Sequence, residues 1–451
     1  MKPGEAVGPE QRRRRIFIVT APGLEGLAAG EMAAQGIRVS AEDGGIACDA
    51  TLEQLYAANL QLRTASRVLV RLAEFRARTF FELERHARRV EWGAYAGGGR
   101  PVRLRVTSRK SRLYHQRAIE ERLLEAIDAA GIGATGLEER AAGRKARASA
   151  ARARRDTETA SGGEPPEDGD PPVIGRPLGA SESPGRESGA RVGSGGDPDI
   201  DGESDGQHEQ IFVVRFLHDR CTISADSSGA LLHLRGYRQA VARAPLRETL
   251  AAALLMASEW DGNATLIDPL CGSGTIPIEA ALMARRIAPG LASADRQPRR
   301  YAFESWPDFD QELWGKLVND ARAAILPAAP GRILGADRDT GAIAAAESNS
   351  ARAGVSQDLH FEVRTVSALP ELGEGGWLVT NPPYGVRVGE SEGLRDLYAA
   401  LGAAARRALP GGVMTMLSAD RRLEGQLKLP LEEILNTRNG GIPVRIVRGE
   451  V

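Results

Sequence analysis

Two short segments of the chain combine residue types suited to group transfer at a strand edge. The first, Asp268-Pro269-Leu270-Cys271-Gly272-Ser273-Gly274-Thr275, follows the apolar pair Leu266-Ile267 and leads into an apolar run with helical spacing. Gly272 and Gly274 let the backbone approach a ligand closely, and a helix opening at Thr275 turns its N-terminus toward a carboxylate or another polar group. A lone G-x-G is weak, but this one lies between strand and helix with an acid at the strand end, which points to a cofactor turn. The second segment, Leu378-Val379-Thr380-Asn381-Pro382-Pro383-Tyr384-Gly385, ends an apolar run in two prolines. They remove backbone donors and fix φ, so the strand stops there and carries a rigid polar elbow. Ligands of open α/β sheets sit outside the carboxyl ends of the strands, where Asn381 and Tyr384 would stand. Taken alone, the tetrapeptide is equally an ordinary strand-ending turn, because Asn-Pro starts turns.

Asp337 ends a further apolar run, in Gly335-Ala336-Asp337-Arg338-Asp339. An acid at that place can accept both hydroxyls of a ribose. Its distance from the glycine turn exceeds the usual spacing of about 20 residues, and an intervening stretch with Pro and Trp, roughly 288–330, accounts for the excess. Asp339 reads as the helix N-cap before Thr340. The chain offers no Walker lysine and the turn is not a full G-x-G-x-x-G, so phosphates are not the obvious ligand. A nucleoside with a charged amino-acid tail fits better, its tail at the helix N-terminus and its ribose at Asp337.

These residues need a sheet to position them. Apolar runs predict strands at 265–268, 332–337, 359–363, 377–381 and 412–418, with helices at 275–286, 340–353 and 391–409 between them. Such alternation predicts a mainly parallel sheet covered on both faces. Segments 432–437 and 443–447 flank Asn439-Gly440-Gly441 and predict a terminal hairpin.

The N-terminal part reads as a small α+β module, with strands at 16–20 and 65–75 and helices at 24–35, 52–62 and 80–90. Val102 to Val106 alternates with period two, placing Arg103 and Arg105 on one face. Arg109, Lys110, Arg112, Tyr114, His115 and Arg117 follow, interleaved with Ser108 and Ser111. A solvated charged face is one reading of this run; contact with phosphates and unpaired bases is the other. From about 141 to 209 the chain turns basic, then rich in Gly, Ser, Pro, Asp and Glu, and reads as a disordered insertion whose basic first part is either a spacer or a nucleic-acid arm. Strands at 211–216 and 221–224 should complete the sheet begun before it. A helix at 251–260, preceded by Pro245, opens the second domain, which begins near 228.

At 451 residues the chain holds two or three domains. Hydrophobic residues make up 42% and charged residues 26%, as in ordinary globular proteins, and a net charge of -1 excludes bulk charge as the basis of nucleic-acid binding. Cys48, Cys221 and Cys271 lie far apart and the six histidines cluster with none of them, so a reduced, cytoplasmic, metal-free protein is expected. No apolar run reaches the roughly 18 residues of a membrane span. Residues 1–15, with the run Arg12 to Arg15, read as a flexible basic tail.

Taken together, the glycine turn and Asn381-Pro382-Pro383-Tyr384-Gly385 resemble motifs I and IV of the class I S-adenosylmethionine-dependent amino-methyltransferases. Arg235-Gly236-Tyr237-Arg238, Ala244-Pro245-Leu246-Arg247-Glu248-Thr249-Leu250-Ala251 and Asn439-Gly440-Gly441-Ile442-Pro443 narrow the resemblance to THUMP-domain RNA methyltransferases. Among these the chain looks most similar to the bacterial enzymes that make N2-methylguanosine in 23S rRNA. The resemblance covers nearly everything outside the insertion. It implies an α/β fold: a Rossmann-like methyltransferase domain over 228–451, with a mostly parallel seven-stranded sheet and a terminal antiparallel hairpin, preceded by an α+β region over 16–227 whose THUMP part spans about 74–227. It implies S-adenosyl-L-methionine as cofactor, held by Asp268, Pro269, Cys271, Gly272, Ser273, Gly274, Thr275, Asp337, Arg338, Ser367 and Asn381, with Asn381, Pro382, Pro383 and Tyr384 catalytic. The partner implied is structured RNA, 23S rRNA or a pre-ribosomal particle, met by Arg103, Arg105, Arg109, Lys110, Arg112, Tyr114, His115 and Arg117. Where the family often has an acid that holds the adenine amino group, this chain has Thr365-Val366-Ser367, and no second methyltransferase domain follows before Val451, so a one-reaction enzyme is expected. The same motif chemistry would also serve guanine in tRNA or N6 of adenine in RNA or DNA, and a non-catalytic ribosome-assembly factor is the rival of another class.

Overall fold

Alternation of apolar and polar residues builds the N-terminal sheet. The computed structural model describes residues 13–96, 101–132, 209–239, 246–384 and 391–451, all within one compact unit. In chain order this half contains β1 (Arg14–Thr20), α1 (Glu25–Ala34), β2 (Ser40–Glu42), β3 (Gly45–Ala50), α2 (Leu52–Gln61), β4 (Ala65–Arg76), α3 (Phe80–Ala87), β5 (Val102–Arg109), α4 (Gln116–Ala129), β6 (Gln210–Leu217) and β7 (Arg220–Asp226). The strands form one sheet in the order β2-β3-β1-β4-β7-β6-β5. The long strand β4 pairs with β1 through its first half and with β7 through its second. A boundary near residue 74 therefore falls inside a strand shared by both parts of the sheet. β5 and β6, on either side of the insertion, pair in parallel, so the strands after it do join the sheet begun before it.

The basic tail ends sooner than expected. Arg14 and Arg15 lie in β1, where Arg14 pairs with Asp308 and Arg15 with Glu42, because strand pairing with β3 begins at Arg14. Residues 1–12, the insertion up to residue 208, Ala244-Pro245 and Gly385 lie outside the described residues.

The second half runs α5 (Glu248–Ala257), β8 (Leu266–Asp268), α6 (Thr275–Ala284), α7 (Gln311–Ala323), β9 (Ile333–Asp337), α8 (Thr340–Arg352), β10 (Leu359–Val363), β11 (Trp377–Thr380), α9 (Ser391–Ala408), β12 (Val413–Ser418), α10 (Arg421–Leu427), β13 (Glu432–Asn439) and β14 (Ile442–Glu450). Its sheet order is β10-β9-β8-β11-β12-β14-β13, parallel from β10 to β12, with β14 antiparallel to β12 and β13. The direction of strand addition reverses between β8 and β11, the position where such sheets open a crevice at their carboxyl edge. Leu378, Met414 and Met416 of the sheet pack with Tyr398, Leu401 and Ala405 of α9 in one buried cluster.

The stretch read only as a spacer, 288–330, joins the halves. Tyr56 of α2 stacks on Phe303 with ring centres 4.4 Å apart, and Trp306 Nε1 donates to Gln210 Oε1 of β6 at 2.8 Å.

Candidate active site

Parallel register brings the chemistry-bearing residues to one edge. Asp268 of β8 lies opposite Gly335 of β9, and Val363 of β10 opposite Asp337. On the other side of β8, Leu378 of β11 lies opposite Ile267. The glycine turn, Asp337, Thr365-Val366-Ser367 and Asn381 thus leave the carboxyl ends of four neighbouring strands.

Asp268 is buried and accepts hydrogen bonds from Thr380 Oγ1 at 2.7 Å and from the Leu270 N–H at 3.1 Å. Burial pushes its carboxyl up to about 7, against the pull of the Thr380 and Leu270 donors and with a smaller upward push from Asp337. Asp268 ties the end of β8 to the end of β11, so its first role is to set the two motifs beside each other. Thr380 escaped the sequence reading, since nothing in a strand-ending Thr signals a partner 112 residues away.

Asp337 Oδ2 accepts from the Gly272 N–H at 3.0 Å and Oδ1 from the Asp339 N–H at 3.0 Å. Each carboxylate oxygen keeps acceptor capacity for a hydroxyl. The two glycines differ. Among the described residues a Cβ on Gly272, at φ +51, would meet nothing within 4 Å, whereas one on Gly274, at φ +84, would lie 2.8 Å from the Ala346 Cβ and 3.2 Å from the Phe361 ring. The missing side chain of Gly274 thus makes room for α8 and β10. Cys271 likewise faces inward: it is buried, and its N–H donates to the Ala336 carbonyl at 2.9 Å. Pro269, Ser273 and Thr275 are buried around the turn, and Arg338 and Ser367 are exposed, with Ser367 Oγ 3.3 Å from Thr365 Oγ1. Asp339 caps α8 as expected, accepting from the Gly341 N–H at 2.7 Å. Open space at Gly272 and a ribose-type acid bonded to its N–H fit a nucleoside cofactor.

At the elbow, Pro382 is buried and Pro383 exposed. Asn381 Oδ1 is buried and has no hydrogen-bond partner among the described residues. Such an orphan acceptor is costly unless something donates to it. Tyr384 is held from outside the motif: Asn439 Nδ2, in the β13–β14 hairpin, donates to its hydroxyl at 2.6 Å. Asn439 was legible as a turn residue but not as the anchor of an aromatic ring.

The predicted RNA-contacting residues separate into two groups. Arg103, Arg105 and Arg109 share one face of β5 with Ile211, Val213 and Leu217 of β6, and Arg103 pairs with Glu209 at 3.4 Å. Lys110, Arg112, Tyr114, His115 and Arg117 follow the strand and are exposed. The Tyr114 and His115 rings lie 4.1 Å apart, and Arg117 pairs with Glu121 at 3.8 Å. Ser108 and Ser111 are not outward donors, since their hydroxyls are given to the Leu113 and Arg109 carbonyls at 2.5 and 2.9 Å. Arg71, Arg76, Arg215 and Arg220 line a groove of about 770 Å³ on this sheet together with Glu42 and Glu74.

Comparison with known proteins identifies the domain that carries this edge. Residues 235–445 match the model of RMKL-like methyltransferase domains, and residues 15–69 match that of the RlmL ferredoxin-like domain. The second half of the chain is an RMKL-like methyltransferase domain. A Synechocystis relative named as an RNA methyltransferase is 29% identical over 440 residues, 97% of each chain. The ribosomal RNA large subunit methyltransferase K/L of Syntrophotalea carbinolica is 31% identical over 96% of this chain and 53% of its own length. The chain spans about half of that relative, and 32% and 35% of the Vibrio parahaemolyticus and Shewanella baltica OS195 enzymes of the same name. SMU.472, a structure described as a methyltransferase complexed with SAH, superposes with a TM-score of 0.74 at 23% identity over 97% of this chain and 98% of its own. An RMKL-like methyltransferase domain with this class I fold takes S-adenosylmethionine as its methyl donor. Among the described residues no helix is long and apolar enough to cross a membrane.

Proposed function

We propose that the protein transfers a methyl group from S-adenosylmethionine to the exocyclic N2 amine of a guanine in 23S rRNA. The observation that carries this reading is the buried Oδ1 of Asn381, which has no hydrogen-bond partner among the described residues. S-adenosylmethionine supplies an electrophilic methyl group when bound. Asp337 accepts the ribose hydroxyls, and the turn from Gly272 to Thr275 receives the amino-acid tail. Thr365 or Ser367 stands where an adenine contact would fall, with Arg338 at the rim.

An exocyclic amine is a poor nucleophile because its lone pair is delocalised into the base. Asn381 Oδ1 and the Pro382 carbonyl accept its two hydrogens, localising the lone pair and aiming it, while Tyr384 stacks on the base. Pro383 stiffens the elbow. Fixing the amine in line contributes through orientation, on the order of several kcal/mol of the barrier. The proton leaves to water once nitrogen becomes cationic, so no strong general base is needed. A paired base hides its amine, and the target must be unpaired or flipped out. Arg103, Arg105, Arg109, Lys110, Arg112 and Arg117 serve phosphates, and Tyr114 and His115 serve exposed bases, in a THUMP-type module working on rRNA or a pre-ribosomal particle in the cytoplasm.

The test is methylation of protein-free 23S rRNA, tRNA and duplex DNA by the purified protein, followed by nucleoside mass spectrometry. N2-methylguanosine in 23S rRNA is expected. N6-methyladenine, or N2-methylguanosine in tRNA alone, would reassign the substrate; no binding of S-adenosylmethionine would leave an RNA-binding assembly factor.

A further inference from the structure

The Arg235-Gly236-Tyr237-Arg238 segment has no part in the chemistry above, yet Arg235 and Tyr237 are buried. Arg235 Nε and Tyr237 Oη both donate to Glu279 Oε1 of α6, at 2.9 and 3.0 Å. The Tyr237 carbonyl accepts from Arg352 Nε of α8 at 2.8 Å, and Arg352 Nη2 donates to Asn349 Oδ1. Asn349, fully buried, directs its Nδ2 to the Ser273 carbonyl at 3.0 Å. The other end of that peptide unit, the Gly274 N–H, donates to the Cys271 carbonyl at 2.9 Å. One peptide plane inside the glycine turn is therefore tied at both ends.

Packing alone would not achieve this. Ala346 against Gly274 fixes the distance between α8 and the turn, but peptides beside glycine rotate readily because glycine tolerates either sign of φ. A donor on the carbonyl stops that rotation. We propose that Asn349, held by Arg352 on the Tyr237 carbonyl, is a positioning residue that orients the glycine turn for the amino-acid tail of the cofactor. The inference rests on reading that turn as the cofactor site, and it gives the Arg235–Arg238 segment a function: to anchor α8 where Asn349 reaches Ser273.

Asn349→Leu keeps much of the volume and removes both polar contacts without adding charge. Calorimetry with S-adenosylhomocysteine should show a Kd weakened by about tenfold, as for loss of a buried hydrogen bond. The donor KM should rise by a similar factor while kcat at saturating donor stays within about twofold, the pattern of a ground-state binding defect. Arg352→Lys, which retains charge but not the fork that spans Tyr237 and Asn349, should weaken binding in the same direction. It also carries the test if Asn349→Leu does not fold. Asp337→Ala is measured in parallel. If Asp337→Ala weakens binding but the folded Asn349 and Arg352 variants do not, or if they lower kcat with KM unchanged, the positioning role is wrong. If Asp337→Ala too binds normally, the cofactor site itself is misplaced.

Discussion

At the residue scale, the site presents one buried acceptor without a donor among the described residues, Asn381 Oδ1. Asn381→Ala should lower kcat by at least about a hundredfold, the size seen on deleting one preorganised hydrogen-bonding group at a reaction centre. Calorimetric affinity for S-adenosylhomocysteine should fall much less than turnover in the same variant; unchanged turnover would remove Asn381 from catalysis. Asp268 makes a different prediction. Its folded carboxyl is raised to about 7 from an ordinary 3.8, so the folded state holds a proton that the unfolded state releases between those values. The resulting stabilisation is complete at low pH and lost as pH rises toward 7. Urea denaturation of the cofactor-free protein against Asp268→Asn isolates the effect, because other raised acids such as Glu248 cancel in the difference. Wild type should lose stability relative to the variant between about pH 4.5 and 7.5, by a ceiling of roughly 4 kcal/mol. A difference that does not move with pH would mean that the Thr380 and Leu270 donors offset burial in full.

At the element scale, the glycine turn shows how two identical residues serve separate elements. Gly272→Ala should cost only about 1–2 kcal/mol for its left-handed φ, yet it places a methyl in open space where the cofactor would lie, so affinity should fall with little change in Tm. Gly274→Ala pushes against Ala346 and Phe361 and should lower Tm more steeply. Thermal denaturation paired with calorimetry separates the two, and equal Tm losses would contradict the division. The β-α alternation of the second half was legible because β8, β9, β11 and β12 are short apolar runs, and because α8 has an Asp cap and α9 an amphipathic period. In the N-terminal half, β2 and β3 were missed because Ser40–Glu42 is three polar or small residues and Gly45–Ala50 contains little to set a period. Helix α4 carries Ile119, Leu123 and Ile127 on one buried stripe, but the charges between them blur its period, and it was not read. Strand ends bearing Asp268, Asp337 and Asn381 could be read from sequence. Their fasteners, Thr380, Asn349 and Asn439, could not, because each acts through a contact between segments remote in the chain.

At the scale of the whole molecule, the joint between the two sheets is polar and buried. Arg235 and Glu279 are 1% and 0% exposed at their side chains, and Arg235 Nη2 also donates to the Arg63 carbonyl, between α2 and β4, at 2.8 Å. Arg63 in turn donates Nη2 to the Ile287 carbonyl at 2.8 Å, beyond α6. Such a pair sets alignment more than it adds stability, since both charges lose their hydration, but removing one partner strands the other. Glu279 would suffer most, because its Oε2 already has no partner among the described residues. Arg235→Met should therefore cost about 3–5 kcal/mol, read as a lower urea midpoint. Adding Glu279→Leu should recover much of that loss by removing the stranded carboxylate, although the Arg63 carbonyl and Tyr237 hydroxyl then also lack their partner. If the double variant is no more stable than Arg235→Met, the joint is held by packing of Tyr56 against Phe303 and its neighbours, and the buried charges only fill the space between the halves.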